Sequence, residues 1–245
     1  MFDPTKFTVT KAKPLPVMLL LDVSGSMNEN VSGDMNRTKI ATLNQAVQTM
    51  LSAFADEVQM ETEIQVSIIT FGEEIRRLFP LMAVRDIQFT PLSARGGTPL
   101  GGCLRMAKAI VEDREEMPSR AYRPTIILVS DGHPGDNWQA ALQEFVSSGR
   151  SQKCDRMAMA IGDDADREVL GQFVAGTSNP LFEAADAEDI LNFFKMVTMS
   201  VTMRTRSQNP NVVPTLSGIM QKSATSAPST SEYMTLPKQT DDDYL

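Results

Sequence analysis

The chain has 245 residues, of which 42% are apolar and 22% charged, with a formal net charge of −8. That length and composition predict one substantial domain with a packed core plus a tail. The acidic balance, with no cluster of Lys and Arg on any segment, excludes a general grip on the phosphate backbone of nucleic acid.

Residues 1–13 are polar and read as an N-terminal extension; the domain is expected over 14–204. Pro14 and Pro16 flank the start of Val17–Leu21, a continuous apolar run of the kind that forms a strand buried on both faces of a parallel sheet. The run ends at once in Asp22, so it is too short for a secretory signal or a membrane span. A cytoplasmic protein with no membrane partner is expected. From Arg37 to Val58, apolar residues recur every three or four positions (Ile40, Leu43, Val47, Met50, Leu51, Phe54), which predicts an amphipathic helix. Ile64–Phe71 and Ile75–Leu81, separated by Gly72-Glu73-Glu74, predict a hairpin ending in an edge strand.

Thr98-Pro99 predicts the start of a second helix, with Thr as the cap and Pro in the first turn. Thr125–Val129 reads as another buried strand, followed by a helix near 137–148, a strand over Arg156–Ile161 closed by Gly162, and a short helix around 167–174. Leu181–Ala184 gives a last strand, and Ala187–Met203 a last helix whose methionine stripe is assigned to the core. This alternation predicts an α/β fold: a doubly wound, mostly parallel sheet with helices on both faces and one antiparallel edge strand. From about Thr205 to Leu245, Ser, Thr and Pro become frequent and periodicity vanishes, which predicts a disordered tail. Cys103 and Cys154 stand outside any metal-ligand spacing and read as reduced structural thiols.

In a doubly wound sheet, ligands bind beyond the carboxyl ends of the strands. Three segments fall there: Asp22-Val23-Ser24-Gly25-Ser26-Met27, Gly96-Gly97-Thr98-Pro99-Leu100 and Ser130-Asp131-Gly132. Their carboxylates and hydroxyls are hard oxygen donors, suited to Mg²⁺ or Mn²⁺ rather than zinc. Carboxylates acting through water would leave the ion enough positive charge to attract an Asp or Glu of a protein partner. The candidate metal residues are therefore Asp22, Ser24, Ser26, Thr98 and Asp131.

Asp-x-Ser-x-Ser after a first apolar strand, Thr in a Gly-Gly-Thr turn and Asp-Gly after a later strand together resemble the metal-ion-dependent adhesion site of von Willebrand factor A-like (vWA) domains. The resemblance covers about Pro14 to Met203. It implies direct coordination by Ser24 and Ser26, with Thr98 joining when ligand is bound and Asp22 and Asp131 often acting through water. It also implies Mg²⁺ or Mn²⁺ as cofactor and a partner carboxylate as ligand. The stretches LLLDVSGSM, SARGGTPLGGCL and VSDGHPGDNW look most like bacterial single-domain vWA proteins of the tellurite-resistance type. That group implies a Ser/Thr kinase and a metal-dependent phosphatase as partners, in a stress or defence system. The Asn28–Asn36 loop and the Ser/Thr-rich tail depart from the pattern.

Other features read more simply. His133, the sole histidine, reads as a solvated rim residue rather than a metal or proton-transfer group. Asp163, Asp164 and Asp166 read as helix capping rather than a second cation site. Trp138 is either an exposed anchor or the packing of a helix start, and Asp241-Asp242-Asp243 either a solvated end or a carboxylate source for a metal site. The protein is expected not to be an enzyme. A phosphohydrolase using Asp22 would need a second Asp where Ser24 stands, a phosphoacceptor would need an acidic pair and a Lys, and no G-x-G-x-x-G follows the first strand. A metal-independent scaffold is the remaining alternative.

Overall fold

A computed structural model describes residues 12–57 and 59–214. Six strands form one sheet in the order β3-β2-β1-β4-β5-β6. They are β1 (Lys13–Asp22), β2 (Thr62–Phe71), β3 (Ile75–Ala83), β4 (Thr125–Ser130), β5 (Asp155–Ile161) and β6 (Leu181–Ala184). All neighbouring pairs are parallel except β2 with β3, which closes one edge as an antiparallel hairpin. Among the described residues four α-helices connect them, α1 (Lys39–Asp56), α2 (Leu100–Glu112), α3 (Gln139–Ser147) and α4 (Arg167–Val174), and α5 (Ala187–Thr205) follows β6. The expected fold class is the observed one.

The apolar run is buried on both faces because β1 is central in the sheet, between β2 and β4, where helices cover each face. Its alternate residues separate two cores. Leu15, Val17, Leu19 and Leu21 meet α1 and α5 on one face, while Met18 and Leu20 meet α2, α3 and α4 on the other. Buried area on both faces is the main favourable term, at roughly 25 cal/mol per Å² of apolar surface. In α5 the fully buried apolar positions are Ile190, Phe193, Phe194, Val197 and Val201, whereas Met196, Met199 and Met203 are half-buried on its flank. The methionine stripe therefore borders the core instead of filling it. Trp138 packs, half-buried, against the second core, as a helix start would.

The chain leaves β1 for β2 on one side and, after the hairpin, returns to β4 on the other. That reversal sits between β1 and β4 and opens a crevice at their carboxyl ends. Residues 205–214 of the expected tail are described and lie against the opposite pole: Arg204 Nε donates to the Pro210 carbonyl at 2.7 Å, and the Arg123 N–H to Asn211 Oδ1 at 2.8 Å. Of the expected extension only residues 12 and 13 are described, and Lys13 already opens β1. Val58, residues 215–245 and thus Asp241-Asp242-Asp243 lie outside the described residues.

Candidate functional site

Asp22 is the last residue of β1, and a single 3₁₀ turn over Gly25–Asn28 follows it. The turn is set by Asp22 itself, whose Oδ1 accepts the Ser24 N–H at 2.8 Å, while its Oδ2 accepts Ser130 Oγ–H at 2.5 Å from the neighbouring strand end. Asp22 is fully buried. Burial pushes its carboxyl up to about 6, against the lowering effect of the hydrogen bonds from Ser130 and Ser24.

Asp131, one residue past β4, is also fully buried and divides its two oxygens. Oδ1 accepts Ser26 Oγ–H at 2.8 Å and faces Ser24 Oγ at 3.5 Å, and the two serine oxygens are 3.0 Å apart. Oδ2 accepts the Lys39 ammonium at 2.9 Å, which also donates to Glu29 Oε2 at 2.9 Å. Burial alone would lower the Lys39 pKa, but these two carboxylates outweigh it and hold the ammonium above its ordinary value.

Thr98 arrives on the Ala94–Thr98 loop, which is threaded between the β1 turn and the β2–β3 turn. Arg95 N–H donates to the Val23 carbonyl at 2.7 Å, Gly25 N–H to the Gly96 carbonyl at 2.9 Å and Glu73 N–H to the Arg95 carbonyl at 2.9 Å. Gly96 has φ of +83°, and a Cβ there would stand 2.3 Å from the Glu73 backbone, so only glycine passes. The expected capping role of Thr98 is not what the structure shows. α2 has no side-chain cap at Pro99; instead Asp136 Oδ1 and Oδ2 accept the N–H groups of Gly101 and Gly102, each at 2.8 Å. A carboxylate from a distant loop serves the helix end better than a neutral hydroxyl because it also meets the positive end of the dipole. The Thr98 hydroxyl lies beside Gly132 instead.

All five sequence-predicted residues therefore gather at the β1–β4 crevice. Their donors fit a small hard cation. The 3.0 Å and 2.8 Å oxygen separations are close to the roughly 2.9 Å between neighbouring ligands of an octahedral ion with bonds of about 2.0–2.1 Å. Gly132 keeps the adjoining space open, since a Cβ there would lie 3.5 Å from Thr98 Oγ1 and 3.9 Å from Ser26 Oγ. Among the described residues no three His, Cys, Asp or Glu side chains gather to hold a metal.

Three residues escaped the sequence reading: Ser130, which fixes Asp22, and the Lys39–Glu29 pair. For Lys39 a signal existed. It is the first residue of α1 after the cap Thr38, and a cation at the positive end of a helix is disfavoured unless an anion compensates it. His133 is an exposed rim residue, its Nδ1 3.0 Å from Asp166 Oδ2. Asp166 caps α4 by accepting the Val169 N–H, while Asp163 is fully exposed near Arg167.

Residues 17–133 match the family model described as von Willebrand factor type A domain. The sheet order, the antiparallel edge and the crevice are those of the vWA fold. Among solved structures, the chain is similar to a von Willebrand factor type A protein from Catenulispora acidiphila (TM-score 0.58, 20% identity, covering 78% of this chain and 43% of that one). It is likewise similar to the ArnB paralog VWA2 from Sulfolobus acidocaldarius (TM-score 0.54, 17% identity, 77% and 45%). A third is proximal thread matrix protein 1 from the mussel byssus with zinc occupied MIDAS motif (TM-score 0.56, 14% identity, 77% and 48%). The chain thus spans less than half the length of each of these three. Compared with curated proteins, the sequence has no significant match.

Proposed function

We propose that this domain is a divalent-cation-dependent protein-binding module, in which Ser24, Ser26 and Thr98 hold Mg²⁺ or Mn²⁺, Asp22 and Asp131 anchor the shell, and a partner's Asp or Glu completes it. The observation that carries this reading is the convergence of Ser24 Oγ, Ser26 Oγ and Asp131 Oδ1 within 2.8 to 3.5 Å of one another at the sheet's topological switch point. Zinc in the equivalent motif of the mussel protein supports a divalent ion in this fold. Binding rather than catalysis is the reading we favour, and it is supported by the burial of Asp22 and by the hydrogen bonds that both of its oxygens accept. The tellurite-resistance-type resemblance adds a Ser/Thr kinase and a metal-dependent phosphatase, in a stress or defence system, as partners to test.

The test is capture of partners from native lysate by the full chain, with Mg²⁺ and with EDTA, read by mass spectrometry. Proteins captured only with metal, and lost with Asp131→Ala, are the expected result. Capture that survives both EDTA and Asp131→Ala favours the metal-independent scaffold, and phosphate-ester turnover abolished by Asp22→Asn favours the phosphohydrolase.

A further inference from the structure

Lys39 is an unusual neighbour for a cation site. Its side chain is 8% exposed, it sits at the wrong end of a helix for a positive charge, and its ammonium lies 2.9 Å from Asp131 Oδ2. The loop after the serine turn holds it there. Lys39 N–H donates to the Glu29 carbonyl and Val31 N–H to the Arg37 carbonyl, both at 2.9 Å, and Asn30 bridges to Thr38. The Asn28–Asn36 loop is therefore the device that returns the chain to present Lys39 beside Asp131, over the backbone of Gly162.

The charge count gives this a consequence. Asp22 and Asp131 bring two negative charges to the crevice, and Lys39 returns one positive charge at hydrogen-bond distance. Asp131 Oδ2 is committed to the ammonium, which leaves Oδ1 alone on the hydroxyl side. Glu29 relieves Lys39 only in part, because its side chain is 60% exposed and screened by water. A dication entering beside two carboxylates would be neutralised, whereas beside two carboxylates and an ammonium it keeps one net positive charge.

We propose that Lys39 is a positioning residue that weakens the bare site for metal and makes metal and carboxylate ligand bind interdependently. Each then raises the affinity for the other by the same factor, as linkage requires. This rests on the cation-binding reading above and specifies how that site is regulated.

The experiment uses the full chain, Mn²⁺ as the metal and acetate as the carboxylate, with unbound Mn²⁺ counted by electron paramagnetic resonance. Lys39→Met keeps most of the side chain's length and removes its charge. It should bind Mn²⁺ alone about tenfold tighter than wild type, the scale of one charge interaction near a surface. The tightening that acetate produces in wild type should shrink toward none. Lys39→Arg, which keeps the charge, should behave as wild type. A merely structural lysine predicts the opposite sign, with Mn²⁺ binding weakened in Lys39→Met, and that result overturns the proposal, as does unchanged affinity and coupling. If Lys39→Met does not fold, Glu29→Gln on the exposed side decides. It should weaken Mn²⁺ binding severalfold and enlarge the acetate effect, and no change in either overturns the proposal. Wild type that binds no Mn²⁺ at all instead removes the cation-binding reading itself.

Discussion

The two poles of the sheet both bury charge, and they satisfy it differently. At the amino-terminal pole Arg204 and Arg156 are almost wholly buried and donate mainly to backbone carbonyls. Arg204 reaches Pro210 and Arg123 carbonyls and the Thr125 hydroxyl, and Arg156 those of Phe173, Ala175 and Gln152. At the carboxyl-terminal pole two buried carboxylates are met by serine hydroxyls, the Ser24 N–H and one lysine. A guanidinium can only donate, so once its donors are placed on carbonyls the arrangement is closed. A hydroxyl can donate to a carboxylate in one state and offer its lone pairs to a cation in another. The first pole is built to hold the segment after α5 against the start of β4, and the second to change partners.

The largest effect should come from breaking the closed pole. Arg204→Met removes three hydrogen bonds and strips a cation from the neighbourhood of Asp155, whose Oδ2 already has no hydrogen-bond partner among the described residues. Burial pushes the Asp155 carboxyl up, and Arg204 opposes that shift. A loss of about 3–5 kcal/mol in chemical denaturation is expected, the usual cost of unpairing a buried charge. Mn²⁺ affinity of the fraction that remains folded should not change. A variant as stable as wild type would show that the arginine network is not structural.

Next in size is metal at the open pole. With Mg²⁺ or Mn²⁺ about a hundredfold above its dissociation constant, the native state should gain roughly 2.7 kcal/mol, or about 5–11 °C in melting temperature for a domain of this size. Ser24→Ala and Asp131→Asn should melt without that gain. A wild-type melting curve unmoved by saturating metal would make the two poles alike, and both merely structural.

The open pole was more legible in the sequence than the closed one, for a physical reason. Asp22, Ser24, Ser26 and Asp131 act through their side chains and fall just after apolar strands, so residue type and spacing both announce them. The strand–helix alternation was legible on the same ground, because burial on two faces demands uninterrupted apolar runs. Lys39 and Ser130 were harder, since each is defined by a partner on another strand end about a hundred residues away. Residues 205–214 read as tail because a Pro210 carbonyl carries no side-chain signature and the partner of Asn211, Arg123, is far away in the sequence. The cap of α2 was misread for a related reason, since Thr98 is local and Asp136 is not.

That part of the closed pole gives a smaller prediction. Truncation after Pro214 should leave stability within about 0.5 kcal/mol of the full chain, the range of changes that touch no defined feature. Truncation after Arg206 should cost about 1–3 kcal/mol, because the Arg204 and Arg123 donors lose Pro210 and Asn211 as acceptors. Equal melting temperatures for the two truncations would return the domain boundary to the end of α5.

The smallest effect lies where α1 and α5 end side by side. The Arg206 guanidinium, with Gln59 and Thr205, holds the Glu57 carboxyl down to about 2 against the opposing effect of burial. A carboxyl depressed on folding contributes stability that is present above its ordinary value of 4.5 and lost as pH falls toward 2. Because the Arg206 side chain is 67% exposed, screening limits the contribution to about 1 kcal/mol or less. Other carboxylates titrate in the same window, so the measurement is the difference between wild type and Glu57→Gln across pH 2 to 7. Wild type should be the more stable by that small margin at pH 7, and the two curves should converge as pH approaches 2. A constant gap at all pH values would mean that Glu57 contributes through hydrogen bonds alone, with no role for its charge.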